Sequence, residues 1–146
     1  MNILVYGIGA MGSIYACLLS RSSNEVFVVD PWEEHISEIK KNGLKIEGAS
    51  GNYTYKNINA SFSIPKKIKF DLIIIATKAS GVKKAAQDIK EFTNNKTIII
   101  SIQNGIGSTD DLKLYIPKKN IIRVGASGFG AVSYTHLTLP TTHEVW

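Results

Sequence analysis

Three glycines near the amino terminus have the spacing of a phosphate-binding turn. Gly7, Gly9 and Gly12 form the pattern G-x-G-x-x-G within the segment YGIGAMGS. The pattern follows a short apolar run, NILVY, and opens a segment with helical spacing, which is the context that dinucleotide binding requires. In such a turn the first glycine permits a sharp bend, the second lets a pyrophosphate approach the backbone, and the third lets the helix pack closely on the strand. The alternative is that all three are packing glycines.

An acidic residue stands at the expected distance beyond the glycines. Asp30 ends the second apolar run, EVFVVD, about 20 residues after the glycine pattern. Its carboxylate can accept hydrogen bonds from ribose hydroxyls, or it can cap the helix that follows. We therefore predict a dinucleotide site formed by Gly7, Ile8, Gly9, Ala10, Met11, Gly12 and Asp30.

The elements that position these residues alternate between strand and helix. Strands are predicted at the runs NILVYG, EVFVVD, DLIIIAT, KTIIISI and NIIRVGA, because nearly continuous apolar runs suit strands covered on both faces. Helical spacing occupies residues 10–21, 32–42 and 79–92. This alternation predicts an α/β fold, a doubly wound parallel sheet of the Rossmann type. Glycines between short alternating runs predict a small β insertion at residues 44–63.

Composition and charge limit the class of protein. The 146 residues, 44% of them apolar, suffice for one compact domain. The net charge is +5, but fifteen of the seventeen basic residues are lysines spread along the chain, which favours a solvated surface over nucleic-acid binding. No apolar run approaches the roughly 20 residues that span a bilayer. We expect a cytoplasmic protein with no nucleic-acid or membrane partner.

The cysteine and the histidines carry no predicted chemistry. Cys17 lies among apolar residues of the first predicted helix, as a buried thiol would. His35 is expected to face solvent, and His136 and His143 lack the clustering that a metal site needs, so no metal is predicted. Trp32 could lie beside an adenine, although packing is the simpler interpretation.

Three segments together resemble one enzyme family. The start MNILVYGIGAMGS, the Thr-Lys-Ala sequence at residues 77–79 and the QNGIG sequence at residues 103–107 are similar to ketopantoate reductases (2-dehydropantoate 2-reductases). The resemblance covers residues 1–131. The related β-hydroxyacid dehydrogenases would have a small or apolar residue at position 78 and an Asp-x-Ser-Thr type of segment near position 104, and neither is found here.

This resemblance implies an oxidoreductase that reduces ketopantoate, a small 2-oxo acid, to pantoate by hydride transfer from a nicotinamide cofactor, on the route to pantothenate and coenzyme A. It implies Asn104 and Lys78 as catalytic and cofactor-binding residues, and Ala131 as a further cofactor contact. Lys78 and Asn104 each follow a predicted strand, at the sheet edge where open α/β sheets bind ligands. The family's proton-donor lysine belongs to a helical C-terminal domain that this sequence does not include. We therefore expect the chain alone to bind cofactor without turnover.

The residues after the second predicted strand bear on the choice of cofactor. Ketopantoate reductases commonly have an arginine there that pairs with the 2′-phosphate of NADP, whereas this chain has Pro31 after Asp30. We expect NAD(H) to be favoured over NADP(H), although NADPH is the family norm. Two other functions stay open: a dehydrogenase of another 2-oxo or 3-hydroxy acid, and an NAD(H)-sensing module that catalyses nothing.

The end of the chain differs in composition from the rest. Residues 132–146 hold no lysine and four threonines, whereas residues 1–131 hold fifteen lysines and five threonines. The segment VSYTHLTLPT also resembles the translation of a transposase adapter used in sequencing libraries. We therefore predict a dinucleotide-binding domain at residues 1–131 and a non-native tail at 132–146, the alternative being a native extra strand at residues 132–139.

Overall fold

Two sheets organise the protein in a computed structural model, which describes residues 1–48, 51–103 and 107–125. The strands, in chain order, are β1 (Asn2–Tyr6), β2 (Glu25–Val29), β3 (Leu44–Gly48), β4 (Gly51–Tyr55), β5 (Ile58–Ser61), β6 (Leu72–Ile75), β7 (Ile98–Ser101) and β8 (Ile121–Arg123). Six of them form one sheet in the order β5-β2-β1-β6-β7-β8, with every neighbouring pair parallel. Strands β3 and β4 form a separate antiparallel hairpin. The predicted Rossmann-type parallel sheet with a small β insertion is confirmed.

Strand β5 corrects the predicted extent of the insertion. The sequence pattern assigned residues 44–63 to one hairpin, but Ile58–Ser61 pairs parallel with β2 and forms an edge of the main sheet. The four residues INAS contain one large apolar side chain. An edge strand needs less apolar surface than a central one. The sequence of β5 therefore lacks the apolar run by which the other strands of the main sheet were predicted.

The described residues form four α-helices: α1 (Ala10–Ser20), α2 (Glu33–Asn42), α3 (Val82–Ile89) and α4 (Ser108–Lys113). The helices predicted at residues 10–21 and 32–42 are confirmed as α1 and α2. The helix predicted at residues 79–92 is α3 with a 3-10 turn on either side, Ala79–Gly81 and Lys90–Phe92. None of the helices in the described ranges is both long enough and apolar enough to cross a bilayer.

The sheet is buried on both faces, which explains its continuous apolar strands. Successive side chains of a strand point to opposite faces. Leu4 accordingly belongs to the core cluster that packs against α3 and α4, while its neighbour Val5 belongs to the cluster that packs against α1 and α2. Both side chains are fully buried.

The strand order creates a crevice at the centre of the sheet. From β1 the chain proceeds outward to β2 and β5, whereas from β6 it proceeds outward in the opposite direction to β7 and β8. Connections that leave in opposite directions open a gap at the carboxyl ends of the two central strands, where ligands of open α/β sheets bind. The turn after β1 and the residues after β6 flank this gap.

The lone cysteine lies in the core, as predicted. Cys17 of α1 is fully buried, and burial raises the pKa of its thiol to about 12, against a smaller lowering by the charge of Arg21. Because the folded pKa exceeds the value of 9.0 for a free thiol, the unfolded chain releases this proton first as the pH rises. The stability that the buried thiol contributes is therefore complete below pH 9.0 and is lost as the pH rises toward 12.

We expect the free energy of unfolding of the wild type to fall more steeply above pH 9.0 than that of Cys17→Ala. Urea denaturation at a series of pH values measures both slopes. Burial and the Asp88 carboxylate also raise the pKa of Tyr6, but this group is common to both proteins and cancels in the comparison. Parallel curves for the two proteins would show that the thiol is not protected by burial.

Candidate functional site

The turn between β1 and α1 is built on two glycines that the fold requires. Gly7 has φ +93°, and a Cβ there would lie 2.8 Å from the backbone nitrogen of Thr77. A Cβ on Gly12, in the first turn of α1, would lie 1.9 Å from the carbonyl oxygen of Gly7. Helix α1 therefore lies so close to the turn that any side chain at position 12 would force the helix and the turn apart.

Gly9 differs from both of these glycines. Its φ is −68°, which any residue can adopt, and a Cβ there would meet no atom of the described protein within 4 Å. Packing and backbone geometry therefore explain Gly7 and Gly12, whereas neither explains Gly9. The space beside Gly9 is open to a molecule from outside the chain.

Gly9 also immediately precedes α1. Within the described residues no side chain caps this helix, whose first turn carries no acidic residue. The first N–H groups of a helix have no partner inside it, and the helix dipole places positive charge there. Ala10 and Met11 begin the helix and are half-buried, so the open space beside Gly9 adjoins a place suited to an anion.

Asp30 fastens the glycine turn to the end of β2. Its Oδ2 accepts a hydrogen bond from the Ile8 N–H at 2.8 Å, and its Oδ1 accepts one from the Trp32 N–H at 2.9 Å. The carboxylate thus holds both the turn after β1 and the turn before α2. Each oxygen can still accept a second hydrogen bond, so ribose hydroxyls are not excluded.

His35 is buried, and the prediction that it faces solvent is wrong. Its side chain is 7% exposed, with Nε2 3.0 Å from the carbonyl oxygen of Ile8 and its ring centroid 5.1 Å from that of Trp32. The same carbonyl also accepts a hydrogen bond from the Ser13 hydroxyl at 3.2 Å. The sequence predicted an exposed histidine because it gives no indication that the Ile8 carbonyl, a backbone group distant in sequence, lies beside the ring.

Ile8 is consequently the most constrained residue of the glycine pattern. Its side chain is fully buried in the cluster beneath α1 and α2, its N–H is bonded to Asp30, and its carbonyl faces His35. Trp32 packs its ring near His35 yet remains 40% exposed, so packing accounts for only part of this side chain.

The ends of β6 and β7 meet at the crevice through a glutamine. Gln103 follows β7, is 6% exposed, and donates from Nε2 to the carbonyl oxygens of Ile75 at 2.8 Å and Thr77 at 3.1 Å. Lys78, which follows Thr77, is exposed. Gln103 begins the QNGIG segment, but the sequence predicts no role for it. The available signal was an amide residue directly after an apolar strand, where a buried side chain must find polar partners.

A cavity of about 280 Å³ joins these segments. Its lining includes Met11 from α1, Thr77 and Lys78 from the end of β6, and Gln103. The structure thus brings the start of α1 and the predicted Lys78 to one cavity. Thr77 Oγ1 is buried there without a hydrogen-bond partner in the described part of the chain.

Several predicted positions lie outside the described residues. These are Asn104, Ala131, His136, His143 and the predicted non-native tail at residues 132–146. Within the described residues, no group of three His, Cys, Asp or Glu side chains is placed to hold a metal ion.

A family model described as ketopantoate reductase PanE/ApbA matches residues 3–140, which is most of the chain. The chain belongs to the ketopantoate reductase family. The matched range contains the glycine turn, Asp30, Lys78 and Gln103, and it runs beyond the predicted domain boundary at residue 131.

Individual relatives, from curated proteins and from solved structures, are similar to most of this chain. The 2-dehydropantoate 2-reductase of Lactococcus lactis subsp. lactis (strain IL1403) is 39% identical over 127 residues, 83% of this chain and 39% of that protein. A D-mandelate dehydrogenase solved with NADH and anilino(oxo)acetate is 35% identical, with a TM-score of 0.78, over 86% of this chain and 40% of that one. The 2-dehydropantoate 2-reductase structure from Geobacter metallireducens GS-15 is 27% identical, with a TM-score of 0.75, over 84% of this chain and 40% of that one. The chain thus spans less than half the length of each of these three relatives.

Proposed function

We propose that this chain binds a nicotinamide dinucleotide at the start of α1 and is the cofactor-binding part of a reductase of 2-oxo acids, with ketopantoate as the substrate. The observation that carries the proposal is the contrast among the three glycines. Gly7 and Gly12 are required by the fold, whereas the absent side chain of Gly9 leaves space beside a helix start that is suited to a pyrophosphate. Family membership supports the reaction class.

The proposed cofactor-binding residues have different tasks. Gly9, Ala10 and Met11 would offer backbone N–H groups and the positive end of the helix dipole to the pyrophosphate. Ile8 cannot offer its N–H, since Asp30 already holds it. Its contribution is to fix the turn. Asp30 would accept hydrogen bonds from the ribose with the acceptor positions that Ile8 and Trp32 leave free.

The residues after β6 and β7 are suited to the reacting end of the site. A bound reduced nicotinamide supplies the hydride for reduction of the ketone. Negative charge then grows on the ketone oxygen, and a nearby cation or N–H donor stabilises it. We assign these roles to Lys78, whose chain segment lines the 280 Å³ cavity, and to Asn104. The carboxylate of a 2-oxo acid would also be attracted to the ammonium group of Lys78.

A direct test is the titration of the 146-residue chain with NADH by calorimetry. We expect a dissociation constant between about 1 μM and 1 mM, the usual range for enzyme ligands. Absence of binding by a protein whose circular dichroism shows that it is folded would contradict the proposal.

We further propose that the chain alone turns over no ketopantoate. The matched region is 39% of the Lactococcus relative, and the resemblance implies a proton-donor lysine in a helical C-terminal domain. Oxidation of NADH in the presence of ketopantoate, followed by absorbance, measures this. Turnover near an ordinary value of about 10 per second would show that the described fold and Lys78 suffice for catalysis.

A second substrate is favoured by one comparison. The D-mandelate dehydrogenase with a TM-score of 0.78 was solved with anilino(oxo)acetate, an aromatic 2-oxo compound. Ketopantoate and phenylglyoxylate can be compared by saturation-transfer NMR on the chain with NADH. A stronger signal from ketopantoate supports the first proposal, and a stronger signal from phenylglyoxylate supports an aromatic 2-oxo acid.

A further inference from the structure

We propose that Gln103 is a positioning residue, whose side-chain amide sets the placement of Lys78 by joining the ends of β6 and β7. The inference rests on the proposed function, because it concerns the residue assigned to the reacting end of that site. Gln103 itself is buried, and the proposal includes no contact between Gln103 and substrate or cofactor.

Every polar atom of the Gln103 side chain is in use. Nε2 donates one hydrogen bond to the Ile75 carbonyl at 2.8 Å and another to the Thr77 carbonyl at 3.1 Å. Oε1 accepts a hydrogen bond from the hydroxyl of Ser101, which is fully buried at the end of β7. The two carbonyl oxygens can only accept, so they fix which end of the amide faces them, and the serine hydroxyl bonds to the other end. A flipped amide would direct its oxygen at two carbonyl oxygens.

The glutamine extends the link between the two strands beyond their ladder. The paired residues of β6 and β7 end at Ile75↔Ser101, and the Ile102 N–H reaches the Ile75 carbonyl at 3.3 Å. The Thr77 carbonyl lies further along, where the ladder has ended. Within the described residues, the Gln103 amide is the hydrogen-bond partner of this carbonyl.

That carbonyl belongs to the peptide group that joins Thr77 to Lys78. Its orientation therefore sets the direction in which the chain presents Lys78. Thr77 also touches the other side of the crevice, because its nitrogen lies 2.8 Å from where a Gly7 Cβ would stand. Gln103 thus holds the segment that contacts the glycine turn and leads into Lys78.

The test uses Gln103→Met, which keeps the length of the side chain but has no N–H donor. In the free protein, we expect the NMR order parameter of the Lys78 backbone amide to fall from about 0.85 to below about 0.6. Ser101→Ala, which removes only the hydroxyl that bonds to Oε1 of the amide, should produce a smaller decrease. Gln87→Met is the matched control, because Gln87 makes a similar bond, to Tyr115 at 2.9 Å, on the exposed side of α3. It should leave Lys78 unchanged.

A double-mutant cycle on NADH binding separates positioning from general destabilisation. Lys78 is also a predicted cofactor-binding residue, so we expect Gln103→Met to weaken NADH binding about 10-fold when Lys78 is present and less than about 2-fold in the Lys78→Ala background, since coupled residues are not additive. Equal weakening in both backgrounds would overturn the proposal. An unchanged order parameter at Lys78 in a folded Gln103→Met or Ser101→Ala protein would also overturn it. If the wild type binds no NADH, the proposed function fails, while the order parameters still decide whether Gln103 positions Lys78.

Discussion

Replacing Gly9 with valine is expected to weaken NADH binding at least 100-fold, or about 3 kcal/mol, while leaving the protein folded. The φ of −68° accommodates valine, and the new side chain meets no described atom within 4 Å of its Cβ. It would instead occupy the space through which we propose that a pyrophosphate reaches the start of α1. Hydrogen bonds to a charged group contribute about 1.5–3 kcal/mol each, so the loss of one or two accounts for the expected effect.

Two other glycines provide controls for this substitution. Gly48, at the end of β3, also has no atom within 4 Å of a Cβ, so Gly48→Val should alter neither stability nor binding. Gly12→Ala should instead lower the melting temperature, because its Cβ would lie 1.9 Å from the Gly7 carbonyl oxygen. Calorimetric titration with NADH and thermal unfolding distinguish the three variants. NADH binding by Gly9→Val equal to that of the wild type would show that the turn is not the pyrophosphate site.

The succession of strands and helices along the chain could be predicted because it depends on local sequence patterns. Continuous apolar runs mark strands covered on both faces, and the helical spacing between them leads to a parallel sheet. The pattern failed at Ile58–Ser61, which has one large apolar side chain and forms a strand by pairing with the edge of β2. The formation of such a strand depends on hydrogen bonds to a neighbouring strand, and its own sequence does not predict it.

Only those features of the site that depend on the spacing of residues along the sequence could be predicted. The sequence pattern predicts a separate task for each of Gly7, Gly9 and Gly12, but the contact that excludes a side chain at Gly7 is with Thr77, which is distant in sequence. His35 was predicted as exposed because its partner, the Ile8 carbonyl, is a backbone atom with no sequence signature. Gln103 was recognised only as part of the QNGIG segment and was given no role for the same reason, since it also bonds to backbone carbonyls.

NADH is expected to bind at least about 100-fold more tightly than NADPH. The Asp30 carboxylate is held at the end of β2 by the Ile8 and Trp32 N–H groups, so it cannot easily turn away from a phosphate on the ribose. Two like charges at about 4 Å repel by roughly 4 kcal/mol at an effective dielectric constant of 20, and partial screening still leaves about 3 kcal/mol. Pro31, which follows, offers neither a cation nor an N–H donor to offset this repulsion.

The substitution that tests this argument is Pro31→Arg. Position 31 is exposed, so an arginine there can reach a 2′-phosphate without disturbing the core, and Asp30 keeps its bonds to the turn. We expect NADPH binding to strengthen about 10-fold, with NADH binding nearly unchanged, since one charge-assisted hydrogen bond contributes about 1.5 kcal/mol. Pro117→Arg, at another exposed proline that follows α4, adds the same charge and should change neither affinity. Because the repulsion is electrostatic, the preference of the wild type for NADH should also shrink as the salt concentration rises. Equal dissociation constants of the wild type for NADH and NADPH at low salt would show that Asp30 does not select the cofactor.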